Sequence, residues 1–172
     1  TGPYKDTNFA DVFVAAKGAS NQDAVVLEDF KTYVPSYSAP ASFIASPIFS
    51  EGQLIGVLVF QMPVDRINNV MKQSTGMGET GEVVLLGQDQ KMRSQTRNSE
   101  ASTILTKTVD HEAATAALAG ETGTKTVRNS DGTSQIVSYK PFEVLGLTWA
   151  VLASISENEA LVAVGEIQSI AV

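Results

Sequence analysis

Few side chains in this chain could carry chemistry. There is one histidine, His111, and no cysteine. A metal centre needs three or four convergent ligands, and His111 has no carboxylate cluster in register with it. Without cysteine there is neither a thiolate site nor a disulfide framework. A Ser-His-Asp arrangement would have to use the same histidine, and no G-x-S-x-G elbow accompanies it. The sequence therefore assigns no catalytic residue, no metal and no cofactor. Gly76-Met77-Gly78-Glu79-Thr80-Gly81 is literally G-x-G-x-x-G. A dinucleotide fingerprint needs a strand before it and a helix after it. Here the expected order is the reverse, and Glu79 would turn the wrong charge to a pyrophosphate. The glycines read as a helix-to-strand corner.

Recognition chemistry remains. Arg93 lies in Met92–Arg97, where strand alternation would put Arg93, Gln95 and Arg97 on one face and Ser94 and Thr96 on the other. An arginine on a half-buried strand can hold a carboxylate with both arms of its fork. Tyr139, on a later apolar run, could add a hydroxyl and a ring edge at a pocket rim. Ser94 is the weaker partner, because alternation points it away from Arg93. Lys31–Pro40 carries two prolines, which a central strand does not accept, with Tyr33, Ser36 and Tyr37 between or beside them. Such a loop is a lid or a binding edge.

The elements that must position these groups follow from periodicity. Thr7 caps a helix with Phe9, Val12, Phe13 and Ala16 on one face, ended by Gly18. Ala24–Phe30, Ser42–Phe49 and Leu54–Gln61 read as strands, the third central and the second placed at an edge or bulge by Pro47. Asp65 caps a helix bearing Ile67, Val70 and Met71. Val83–Leu86 and Met92–Arg97 read as a hairpin across Gly87–Gln90. Asp110 caps His111–Ala119, closed by Gly120. Gly123–Asn129, Ser134–Phe142 and Leu147–Ile155 are the last strands, Asp131-Gly132 turning the first two. Ser156 and Glu159 form a capping box that opens a helix running to Val172.

Two stretches repeat one pattern. Phe43–Val70 falls on Val137–Val164 at an offset of 94 positions without a gap, with Pro47 on Pro141 and Val57-Leu58 on Val151-Leu152. Pattern decides which faces are buried, so it defines a fold unit. The central hairpin has no upstream counterpart. The first unit is expected to be incomplete, with one sheet edge uncovered.

Composition narrows the partners. Twelve basic against nineteen acidic residues give a net charge of −7. That excludes a nucleic-acid binder built on phosphate neutralisation and a protein docked on an anionic membrane surface. No apolar run approaches the roughly 20 residues that span a bilayer, so contact with a membrane would come only through segments outside this chain.

Several motifs in order carry a family resemblance. Tyr33-Val34-Pro35-Ser36-Tyr37, Phe60-Gln61-Met62-Pro63 with Ile67-Asn68, Gly78-Glu79-Thr80-Gly81-Glu82, Met92-Arg93-Ser94 and Leu147-Thr148-Trp149-Ala150 together resemble the double Cache sensor domains. Those occur in bacterial chemotaxis receptors and in related histidine kinases and adenylate cyclases. The resemblance implies an α+β fold, antiparallel sheets with flanking helices, as PAS-like units in tandem. Residues 1–64 would be the C-terminal part of a first, membrane-distal unit, and 65–172 a complete membrane-proximal one. It also implies a non-enzymatic periplasmic sensor of a small solute, part of an inner-membrane receptor, with a homodimer allowed. Solutes would sit between the sheet and the loops over one face, which makes Arg93, Tyr139 and Ser94 candidates in the second unit and Tyr33, Ser36 and Tyr37 in the first. The family often has tyrosine and aspartate where this chain has Val84 and Gln95, and the amino-acid-binding pattern of some members is absent, so no ligand class transfers.

Overall fold

In the computed structural model the described residues are 2–73, 75–129 and 131–162. They divide into two compact units, one up to residue 64 together with 143–148, the other comprising the remainder.

The first unit opens with helix α1, Asn8–Gly18. Three antiparallel strands follow in the order β1-β2-β3: Val26–Tyr33, Ala39–Ser50 and Gln53–Gln61. A single 3-10 turn, Val34–Ser36, joins the first two. Val12 and Ala16 of α1 pack on Ala41, Phe43 and Ala45 of β2 and on Tyr33, with Val57 and Val59 beside them. Asn8 ties the helix start to the sheet, its Nδ2 donating to the carbonyls of Asp29 and Ala41. Two expectations are corrected. β1 runs on to Tyr33 and β2 starts at Ala39, and together they take half of the supposed loop. β2, not β3, is the central strand, although it contains Pro47, and β3 has no further neighbour among the described residues. Strand centrality follows from which neighbours exist, and apolar content alone does not report that.

The second unit begins with α2, Val64–Met71, and β4, Glu82–Leu86. Helix α3, Glu112–Leu118, leads to β5, Gly123–Arg128, β6, Ser134–Val144, and β7, Leu147–Ser156. The sheet order is β4-β7-β6-β5, and its β4–β7 and β5–β6 pairs are antiparallel. The small side chains Ala113, Ala114, Ala116 and Ala117 let α3 lie close on Val137, Tyr139, Ala150 and Leu152. A fourth helix, α4, occupies residues 157–162; its expected continuation to Val172 lies outside the described residues.

The sheet has four strands, not five, because Met92–Arg97 does not form the second arm of a hairpin. Only an isolated bridge joins Leu86 to Met92. Beyond it one backbone bond to β4 remains and the others are replaced. Arg93 N–H donates to the Leu85 carbonyl at 2.6 Å and Met92 N–H to that of Lys107 at 3.0 Å. The Ser94 hydroxyl accepts Leu85 N–H at 3.0 Å, and that of Thr103 accepts Thr96 N–H at 3.1 Å. Side-chain oxygens thus replace ladder partners. The expected alternation fails with the strand: Arg93, Ser94 and Thr96 are all buried, and Arg97 is exposed.

Candidate functional site

The second unit contains an open cavity of about 390 Å³ over one face of its sheet. Alternation builds the floor. Val84 and Leu152 are register partners across β4 and β7, as are Glu82 and Ser154, and Val137 of β6 completes the apolar base. The Val84 isopropyl group stands where the family often carries a tyrosine. Arg128 at the end of β5 and Asn129 and Asp131 in the following loop form one rim. The opposite wall is the segment from Lys107 to His111.

That wall is irregular chain, and it is held by side chains. Gln95 Nε2 donates to the carbonyls of Ser99 and Ala101, at 2.9 and 2.7 Å, and its Oε1 accepts Thr103 N–H at 3.0 Å. Gln95 N–H in turn donates to Asn68 Oδ1 on α2 at 2.8 Å. The Gln95 side chain therefore fastens residues 99–103, the stretch leading into the wall, while its backbone N–H ties the same stretch to the helix that opens the unit. Val109 N–H donates to the Gln90 carbonyl at 3.0 Å and anchors the far end.

Charge is unevenly committed around the cavity. Glu82 accepts a bond from the Thr96 hydroxyl. Asp131 accepts from Thr133 N–H and Oγ1–H at 2.9 and 2.6 Å, which holds its carboxyl below the usual range. Among the described residues neither Lys107 nor Arg128 has an ion-pair partner. His111, and not the expected Asp110, caps α3: its Nδ1 accepts Ala114 N–H at 3.2 Å. Burial lowers the imidazole pKa, against smaller upward pushes from its backbone bond, Asp110 and Glu112.

The residues expected from sequence are not brought together. Arg93 is 3% exposed. Its Nη1 lies 2.9 Å from Asp89 Oδ1 and donates to the Lys91 carbonyl at 3.0 Å. Gly87 lies against the guanidinium so closely that a Cβ there would collide with it. Arg93 does not line the cavity, and a carboxylate binding there would exchange with Asp89. Ser94 is fully buried and already holds Leu85 N–H. Tyr139 is buried where half-exposure was expected; its ring belongs to the core under α3, and its edge reaches a shallower hollow with Gly123, Ser138 and Lys140. Tyr33 is likewise buried, edge-on to Phe43 with ring centroids 4.9 Å apart. Ser36 donates to Gln61 Oε1 at 3.4 Å, and Tyr37 is fully exposed at a left-handed backbone position. Sequence reasoning missed Gln95 and His111 as organisers of the cavity. Their signal was weak, because an amide clamp and a capping imidazole depend on a loop whose path periodicity does not describe.

A second polar cluster lies where α4 begins. The Glu159 carboxylate accepts from Glu79 N–H at 2.7 Å, Thr80 N–H at 2.9 Å and the Thr80 hydroxyl. The same hydroxyl accepts Ser156 N–H at 3.0 Å. The expected capping box is therefore replaced: Thr80 satisfies the donor that Glu159 would have reached. Arg97 donates to the Gly81 carbonyl and steadies this loop from behind.

The chain matches the Cache domain family over residues 4–164. It is similar to the ligand-binding domain of the Pseudomonas fluorescens chemoreceptor CtaA, solved with L-leucine, at 15% identity and a TM-score of 0.58, covering 94% of this chain and 62% of that one. The corresponding domain of the Pseudomonas aeruginosa amino acid chemoreceptor PctB, solved with L-Arg, gives 18% and 0.59, covering 93% and 63%. The extracellular domain of mmHK1S-Z3, a protein assigned as a histidine kinase, gives 18% and 0.66, covering 96% and 59%. This chain thus spans about three fifths of the length of those solved domains. No curated protein matches it. Among the described residues no helix is long and apolar enough to cross a membrane, and no group of residues is placed to hold a metal ion.

Proposed function

The chain belongs to the Cache domain family, and we infer from this that it is the extracytoplasmic, non-enzymatic sensing region of a transmembrane chemoreceptor. Residues 1–64 are read as the C-terminal part of a membrane-distal unit and the rest as a membrane-proximal unit. The observation that carries the reading is the cavity on the second sheet: an apolar base, two cations without ion-pair partners among the described residues, and a wall at 107–111 anchored by the Val109–Gln90 backbone bond. With Glu82, Asp110 and Asp131 also in the lining, a small solute that bears a carboxylate for the cations and a hydroxyl or ammonium group for an acid fits the site. Binding would act only through a difference in affinity between two arrangements of the unit. The Thr80–Glu159 contact fastens α4 to the same unit and gives such a difference a route outward.

Thermal-shift screening of the chain against amino acids, small organic acids and amines tests this. A ligand at 100 times its Kd adds about 2.7 kcal/mol of stability. Stabilisation by one or more carboxylates, and none by amines lacking an acid group, is the expected result. Silence across the panel removes the solute-sensing reading. The likeness to the mmHK1S-Z3 domain supports a second output, a sensor histidine kinase, with the same input chemistry.

A further inference from the structure

We propose that His111 is a ligand-contacting residue of this cavity, donating its Nε2–H to the carboxylate of the bound solute while Lys107 and Arg128 supply the charge. The inference rests on the sensing reading above and names the donor within it. It starts from the cap. Nδ1 accepts Ala114 N–H at 3.2 Å, so that nitrogen carries no proton. A neutral imidazole must then hold its proton on Nε2. The cap fixes the tautomer and also the ring orientation, as a hydrogen bond on the far ring nitrogen does for a metal-bound histidine.

The fixed ring lines the cavity, and among the described residues its Nε2–H has no acceptor. His111 is half-buried and this donor is open to the solvent of the cavity, so an anionic oxygen of a solute can replace water there with a stronger, charge-assisted bond. The neighbouring carboxylates do not compete equally. Glu82 is taken by Thr96 and Asp131 by Thr133, while Glu112 lies 3.5 Å from Lys125. Among the described residues Asp110 is the one acid of the cavity that makes no hydrogen bond, and it is left to face a hydroxyl or ammonium group of the same solute. Burial lowers the imidazole pKa from its ordinary value, which favours the neutral, Nε2-protonated ring at neutral pH.

The test exploits a property of the sequence: His111 is the chain's only histidine, so its ring signals need no assignment. The 172-residue chain is titrated, by nitrogen-detected NMR of the imidazole, with each stabilising member of a panel of the twenty L-amino acids, γ-aminobutyrate, acetate, lactate and succinate. The expected result is a saturable shift of Nε2 and its proton, with Nδ1 remaining unprotonated. His111→Asn keeps a capping oxygen and shortens the reach. It should lower affinity for that solute about ten- to a hundredfold, the loss expected for a hydrogen bond to a charged group. His111→Asp also caps and should lower it further by repulsion. A solute that raises the melting temperature but leaves the ring signals unmoved, or binds His111→Asn as tightly, overturns this assignment and leaves the sensing reading standing. A panel that stabilises nothing overturns both.

Discussion

Leu58 and Leu152 occupy the same place in the two repeats, yet one is 46% exposed and the other 2%. The hairpins that carry them start alike. Glu51-Gly52 and Leu145-Gly146 both turn with two positive φ angles, the two-residue form that suits the right-handed strand twist. They diverge three residues later. In the first unit Ile48 faces Gly56 while Phe49 faces Leu54, so Ile55 is left over as a bulge. One extra residue turns every later side chain to the other face. Val57 and Val59 therefore meet α1, and Leu58 and Phe60 point away. In the second unit Leu152 joins Val137 and Tyr139 under α3. The comparison teaches that an ungapped repeat of apolar pattern is not a repeat of buried faces.

The sharpest way to break that comparison is a matched truncation. Leu152→Ala should cost about 2–5 kcal/mol, the range for emptying a packed leucine site. Leu58→Ala should cost no more than about 0.5 kcal/mol, as for surface changes. Chemical denaturation of both variants, read by a probe in each unit, measures the difference. Equal losses would mean that both faces of β3 are buried in solution and that the bulge does not reverse it.

Much of this architecture was legible from spacing. The Asp131-Gly132 turn and the helix–strand–strand–strand–helix order follow from turn residues and apolar periodicity, both local signals. Which face of β3 is inward was not legible, because a bulge leaves no mark in composition. Met92–Arg97 was misread for a related reason. Its period-two pattern is real, but Ser94 and Thr103 hydroxyls took the backbone partners a strand would need. The candidate site moved accordingly. Arg93 has the residue type that recognises a carboxylate, and the structure gives it an internal one.

Arg93 offers a test confined to the second unit. Arg93→Ala removes a buried side chain and the 2.9 Å contact with Asp89. Hydrogen bonds to charged groups are worth roughly 1.5–3 kcal/mol, so a stability loss of that order should appear in the second unit. Affinity for a stabilising solute should change little if the cavity is the site. A ten- to hundredfold loss by calorimetry in a protein of unchanged stability would instead place the carboxylate at Arg93.

The paired turns supply a test in which the two sequence repeats should agree. Gly52 and Gly146 have φ of +78° and +85°, with open space where a Cβ would stand. Alanine at either position pays only the backbone penalty of the left-handed region, about 1 kcal/mol. The two variants should lose the same stability within error. A larger loss at Gly146 would show that the second turn makes contacts the first lacks.

The smallest expected effect concerns the helices that follow each hairpin. At the offset of the repeat, Glu159 in α4 corresponds to Asp65 in α2, both acids in a first helical turn. Asp65 makes no hydrogen bond among the described residues, whereas Glu159 takes three donors from Glu79 and Thr80. The Thr80 hydroxyl, then the Glu79 and Thr80 amides, hold the Glu159 carboxyl below its ordinary value of 4.5, with Arg97 adding a little. A depressed folded pKa fixes the sign. The stabilisation is fully present above 4.5 and fades as pH falls through the lowered folded value. Glu159→Gln should therefore lower the melting temperature slightly at neutral pH, and its difference from the parent should shrink as the solution is acidified toward pH 3. Because Glu159 is solvent-accessible, added salt should narrow the neutral-pH difference as well. A Glu159→Gln deficit that persists unchanged at pH 3 would mean that the amide fails to refill the loop geometrically, and that charge at Thr80 is not what holds the start of α4.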